Sequence, residues 1–219
     1  MSKPKIAIIG GAGQLGGGLA FRLAKAGYPL VIGSRTAEKA EAAAQDLKTR
    51  IGGGEVGALE NGAAAAGAEI VIVAVPFAAQ KDTLLSIKPH VQGKVVIDAT
   101  VALVPPKVGT VQLPPEGSAG VIAHNTLGEG VKLVSAFQNV PAHKLLTGED
   151  IDCDVLVCSN DRAAAQTTIE LCKAIDMQAY DAGVIQNSAA AEALTSVLIS
   201  IGRRHKAHPA IRLTGLGSH

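Results

Sequence analysis

The chain has almost no net charge. Twenty lysines and arginines against 19 aspartates and glutamates leave a formal +1 over 219 residues. So small an excess gives no long-range field to draw in nucleic acid or an anionic membrane, and neither is expected as a partner. Cysteine is scarce too. Cys153, Cys158 and Cys172 are too few for a disulfide framework and lack a metal-site companion, so they read as small buried hydrophobes in a reducing compartment. No apolar run approaches the roughly 20 residues that a membrane-crossing helix needs. The start, Met-Ser-Lys-Pro-Lys, lacks the long apolar core and cleavage site of a signal peptide, and a cytoplasmic protein is expected. Low-complexity tails and internal repeats are absent as well, which leaves a compact α/β-sized chain with a substantial core.

What is present alternates between two periodicities. Ile6 to Ile9 is a continuous apolar run, as expected of a strand covered on both faces. Leu15, Leu19, Leu23 and Ala26 then recur at helical spacing, with Arg22 and Lys25 off that face and Gly27 as the stop. Strand signals follow at 30–32, 55–58, 70–75 and 94–97, with Pro76 expected to end the third of these. Helix signals fall between them at 37–49, capped by Thr36, and at 62–66. This order predicts a mostly parallel sheet with right-handed crossovers.

After Asp98 comes a long connection containing Pro105-Pro106 and Pro114-Pro115, then a helix at 119–127 and a strand at 131–136. A strand at 154–158, a helix at 162–175 capped by Asp161, an extended piece at 178–180 and an apolar helix at 188–201 complete the pattern. Gly202 is expected to end that last helix. A domain change is placed near residue 145, giving a first domain over 1–145 and a smaller α+β domain over 146–219.

Gly11-Ala12-Gly13-Gln14-Leu15-Gly16 is a G-x-G-x-x-G run between the first strand and the first helix. In that setting it predicts a Rossmann-type dinucleotide site. Gly11 would make the tight turn, Gly13 would admit the pyrophosphate and Gly16 would let the helix pack on the sheet. The free N–H groups around Gln14 supply donors and the positive helix end. A carboxylate that would accept from an NAD ribose is missing at the end of the second strand. That stretch reads Gly33-Ser34-Arg35-Thr36, with Lys39 one turn on, a set suited to a 2′-phosphate and hence to NADP(H). Val75, Pro76, Phe77 and the Ala99-Thr100 segment, at strand ends, are candidates to flank the nicotinamide.

No metal or catalytic constellation is legible. The six histidines are scattered, and no serine or cysteine comes with a base and an orienting acid. Hydride transfer between two bound cofactors needs positioning and water exclusion more than an acid–base residue.

The chain resembles the coenzyme F420-dependent NADP oxidoreductases over almost its full length. The likeness rests on the glycine run from Gly10 to Gly16, on Val31 to Arg35 with Lys39, and on Ala74-Val75-Pro76. It continues in Val134-Ser135-Ala136-Phe137-Gln138-Asn139-Val140-Pro141-Ala142, in Asp181-Ala182-Gly183, in Asn187 to Thr195, and in a strand-like tail at 210–213. The resemblance implies a homodimer that passes hydride directly between nicotinamide C4 and deazaflavin C5, with F420 as co-substrate and no bound flavin. It also implies that Phe137, Gln138, Asn139, Val140 and Pro141, with Leu194 and Thr195, contact F420. An NADP-dependent reductase of another small carbonyl, imine or flavin substrate, and a non-catalytic NADP-binding module, are the alternatives.

Overall fold

The computed structural model describes residues 3–147 and 150–216. The first apolar run is β1 (Ile6–Ile9), buried at every position. Its side chains alternate between two cores. Ile6 and Ile8 join one, whereas Ala7 and Ile9 join the other. The same split recurs in β4 (Ile70–Val73), where Ile70 and Ile72 face one way and Val71 and Val73 the other. A strand apolar at every residue therefore has helices on both sides. Each fully buried isoleucine or leucine contributes roughly 1.5–3 kcal/mol.

In chain order the remaining elements are α1 (Gln14–Lys25), β2 (Leu30–Ser34), α2 (Ala37–Ile51), β3 (Val56–Glu60), α3 (Asn61–Ala66), α4 (Phe77–Ile87) and β5 (Val95–Asp98). Then come α5 (Ala119–Leu127), β6 (Lys132–Ser135), α6 (Ala142–Leu145), β7 (Asp154–Ser159), α7 (Arg162–Ala174), β8 (Gln178–Asp181) and α8 (Ser188–His205). The strands form one eight-stranded sheet in the order β3-β2-β1-β4-β5-β6-β7-β8. Every pairing is parallel except β6 with β7, which is antiparallel. This is a Rossmann-type core with a smaller α+β extension. Thr36 and Asp161 cap α2 and α7 as their positions predict. All three cysteines are buried, and burial pushes the Cys172 thiol up to about 12.

Four local expectations are corrected. β4 stops at Val73 rather than at Pro76, because its partner β1 ends at Ile9 and no ladder remains beyond it. Pro76 instead precedes the first residue of α4. The tight turn after β1 is made by Gly10 (φ +86°), not Gly11. α8 runs through Gly202 to His205 and is capped by Lys206 in the left-handed conformation. Gly202 is needed for another reason: a Cβ there would sit 2.6 Å from the Ala207 carbonyl oxygen, where the chain folds back. Arg203, Arg204 and His205 thus occupy the last turn of α8, where cations complement the helix dipole. The tail at 210–213 is not a strand. Its backbone contact with β7 is the bond from the Asp154 N–H to the Ile211 carbonyl (2.8 Å).

Candidate functional site

The glycine run lies at the carboxyl end of β1, where open α/β sheets bind ligands. A Cβ on Gly10 would meet the Ala74 carbonyl oxygen at 2.4 Å, and one on Gly16 would meet the Gly10 carbonyl oxygen at 2.5 Å. The turn is therefore compact enough to bring the start of α1 onto the sheet. Ala12, Gly13 and Gln14 are exposed above it, while Gly11 and Gly16 are buried and Leu15 packs against the core. Gly13 is the N-cap of α1, and no side chain caps that end. The first-turn amides and the positive helix end face outward, which suits a phosphate.

Ser34 ends β2 and borders two hollows. One, of about 410 Å³, runs between α1 and α2 and reaches Gly11 to Gln14 and Lys39. The other, of about 440 Å³, is lined by Arg35, Asn61, Asp82 and Thr83. Arg35 and Lys39 thus flank Ser34 on opposite sides. Both are exposed, and neither forms an ion pair among the described residues. Asn61 Oδ1 is buried and has no hydrogen-bond partner.

Gln14 also lines a larger cleft, of about 590 Å³, between the 138–143 segment and α8. Gln138, Asn139, Val140, Pro141 and Thr195 line it, and α8 adds Leu198 and Ile199. Phe137 and Leu194 are not in its lining. Phe137 is a core residue with 2% exposure and φ +77°, so it shapes the turn from beneath rather than closing over a ligand. Val75 stands beside the glycine turn and Pro76 caps the start of α4, but Phe77 lines a separate hollow between α4 and α5, and Ala99 is buried in the core.

The two amides of this segment are already committed. Gln138 Nε2 donates to the Asp98 carbonyl (3.1 Å) and to Ser135 Oγ (2.8 Å). Asn139 Nδ2 donates to the Ala191 carbonyl (2.8 Å) and to Thr195 Oγ1 (3.1 Å). Thr195 Oγ1 in turn lies 3.0 Å from the Gln138 carbonyl. The Gln138 amide thus ties the segment to the ends of β5 and β6, and Asn139 with Thr195 ties it to α8, so these N–H donors are not on offer to an incoming ring.

Among the buried polar groups, Arg22 and Glu192 escaped the sequence reading. Arg22 falls off the apolar face of α1, yet it is buried because its guanidinium donates to the Leu145 and Lys144 carbonyls at the end of α6. Glu192 is 1% exposed and accepts from three backbone amides, those of Ala119 (2.9 Å), Gly120 (3.0 Å) and Ala102 (3.3 Å). A single carboxylate inside the apolar stretch from Ala189 to Leu194 was the available signal. Asp98 is fully buried and accepts from Gln80 Nε2 (2.7 Å) and Thr100 Oγ1 (2.7 Å).

Burial drives the Asp98 carboxyl up to about 7, and Glu192 nearby adds to the rise. Glu192 is itself raised by burial. A carboxyl raised in the folded state keeps its proton where the unfolded chain has lost it. Its contribution to stability is therefore complete below about pH 4 and lost as pH rises through 7. The urea midpoint should fall between pH 5 and pH 8 by an amount worth a few kcal/mol, and Asp98→Asn should flatten most of that slope. A midpoint that rises or stays level over this range would contradict the assignment.

Among the described residues no group of three or more histidines, cysteines or acidic residues could hold a metal, and His219 lies outside them. None of the described helices is long and apolar enough to cross a membrane.

The parallel sheet and the glycine turn beneath an uncapped helix define a dinucleotide-binding protein of the Rossmann class. Residues 5–102 match the family model described as NADP oxidoreductase, coenzyme F420-dependent. The chain is 40% identical over 223 residues to an F420-dependent NADP reductase of Methanocaldococcus jannaschii, covering 97% of this chain and 99% of that one. It is also 40% identical over 222 residues to its counterpart in Methanothermobacter thermautotrophicus, covering 97% and 95%. A crystal structure from Arthrobacter sp. FB24, itself only proposed to be an F420-dependent NADP-reductase, superposes with a TM-score of 0.76. It shares 23% identity, with 94% and 96% of the chains covered, and speaks for the fold alone. The chain belongs to the family of F420-dependent NADP reductases.

Proposed function

We propose that this protein is a cytoplasmic NADPH:coenzyme F420 oxidoreductase. The observation that carries the reading is the position of Gln14. This residue of the phosphate turn lines both the α1/α2 groove and the cleft against α8, so a nucleotide and a second ring can meet there. The residues fit the nucleotide. Glycines stand where a Cβ would block the turn, two unpaired cations flank Ser34, and Asn61 offers an acceptor that lacks a donor. When both cofactors are bound, they supply direct hydride exchange between nicotinamide C4 and deazaflavin C5.

The chain supplies the positioning. Gly11 to Gly16 hold the pyrophosphate, and Ser34, Arg35 and Lys39 hold the 2′-phosphate. Val75 and Pro76 abut the nicotinamide end. Val140, Pro141, Leu198 and Ile199 exclude water from the cleft, while Asn139 and Thr195 fix its walls. Orientation of this kind contributes on the order of 7–11 kcal/mol in the best cases, which removes the need for an acid–base side chain. Residues 1–145 form the nucleotide half, and residues 146–219 complete the cleft and the dimer contact. Val184, Val197 and Ile201 are exposed, an apolar set suited to a second copy of the chain.

Anaerobic mixing with NADPH and F420 should bleach the deazaflavin absorbance. Deuterium from stereospecifically labelled NADPH should appear at deazaflavin C5. Loss of the label to solvent, or purification with stoichiometric FAD, would exclude direct transfer. No reaction with F420, alongside reduction of an imine, would overturn the substrate.

A further inference from the structure

The chain as a whole is nearly neutral, but the larger cleft is not. Its charged and imidazole lining consists of Arg203, Lys206, His143 and His208, with no aspartate or glutamate among the residues that line it. Neither Arg203 nor Lys206 forms an ion pair among the described residues, and both are exposed. Three of these four groups have contacts that place them. Arg203 Nη1 lies 3.5 Å from where a Cβ on Gly109 would be, so it rests against the long connection after β5. The His143 and His208 rings stand 4.0 Å apart, and they join α6 to the chain beyond α8.

The position of this cluster is set by α8. Thr195 is fastened to the 138–139 segment, and Arg203 and Lys206 lie 8 and 11 positions further along the chain. At 1.5 Å per residue that is about 12–17 Å from Thr195. The fold-back that brings 207–209 into the lining depends on Gly202, whose missing side chain admits the Ala207 carbonyl.

The geometry points to an anion subsite at the C-terminal end of α8, in which Arg203 and Lys206 hold an ionised substituent of the second substrate. The substituent is a phosphate or a carboxylate on a side chain that reaches about 12–17 Å from the ring held beside Thr195. This assignment rests on the cleft being the site of the second substrate. Unpaired cations in a concave site select for anions and steer them in, whatever ring they carry.

The test compares the unaltered protein with the Arg203→Ala/Lys206→Ala double variant under steady-state turnover. Turnover of F420 by the unaltered protein is established first, so that failure of the substrate assignment shows before the variant is read. The variant should raise the KM for F420 about tenfold, with kcat and the KM for NADPH within about twofold. For a deazaflavin stripped of its anionic side chain the two proteins should have the same KM. Arg204→Ala, an exposed neighbour outside the cleft lining, should behave as unaltered protein, and Arg203→Lys should recover part of the loss. Inorganic phosphate and glutarate, tested separately as competitors against F420 at saturating NADPH, tell which anion the subsite prefers. Their inhibition should weaken in the double variant. Equal KM values for F420 in both proteins, or an equal rise for the stripped deazaflavin, would overturn the subsite.

Discussion

Replacing Arg35 by Ala should raise the KM for NADP about 10- to 100-fold and leave that for NAD nearly unchanged. One charged hydrogen-bonding partner to a phosphate contributes about 1.5–3 kcal/mol, which sets that range. A second substitution sharpens the test. Ser34 closes β2 in register with Glu60 of β3, so its backbone is fixed and only its side chain is free to vary. Ser34→Asp should lower affinity for NADP further, since it sets a carboxylate against the phosphate. The same carboxylate should improve NAD binding by accepting from the ribose hydroxyl. Titration calorimetry with both nucleotides on all three proteins reads this directly. Equal affinity for NADP and NAD in the unaltered protein would remove the basis for the assignment.

Glu192→Leu should be among the most damaging single changes in the smaller half. The carboxylate takes three backbone N–H groups from two places, the connection after β5 and the start of α5. Leucine would leave all three donors buried without acceptors, at about 1–3 kcal/mol each before relaxation. A net loss of about 3–5 kcal/mol is expected, comparable to breaking a buried charged network, and in a chain of this size it lowers the melting temperature by about 10 °C. Glu192→Gln, which retains one accepting oxygen, should fall between the two. The cleft should suffer along with the fold, because the same helix carries Thr195. A Leu variant that melts with the unaltered protein would show that the amides find other partners.

The parts of this fold that could be read from the residues are those where one periodicity dominates. β1 and β4 are apolar at every position, and the helix expected at 119–127 is α5 with those same bounds. The reading failed where a residue type carries two meanings. Gly202 has the composition of a helix stop, but it lies inside α8 and serves the close approach of Ala207 and Pro209, where the chain folds back on itself a few residues later. Gln138 and Asn139 sit in a cleft segment and have the groups to bind a ligand. Whether those groups are already spent on Ser135, Ala191 and Thr195 depends on tertiary partners. Phe137 suffers the same ambiguity, since an aromatic before a loop suits either a lid or a core. The phosphate turn was legible because its chemistry is local. The basic wall of the cleft was not, since its members come from chain segments 60 residues apart.

The strand order has a consequence for the way this chain is made. β1 lies between β2 and β4, so the first strand of this sheet to be made becomes an inner one and waits for partners on both flanks. From β4 onward each new strand adds to the outer edge in the order of synthesis, β5, β6, β7 and then β8. By the time Ser135 has emerged, β1 to β6 are all available, and the nucleotide turn has the sheet beneath it. The half that follows is laid against a finished template. A growing chain can thus hold the nucleotide end of its site before the walls for the second substrate exist, and the two ends of one cleft belong to successive stages of folding.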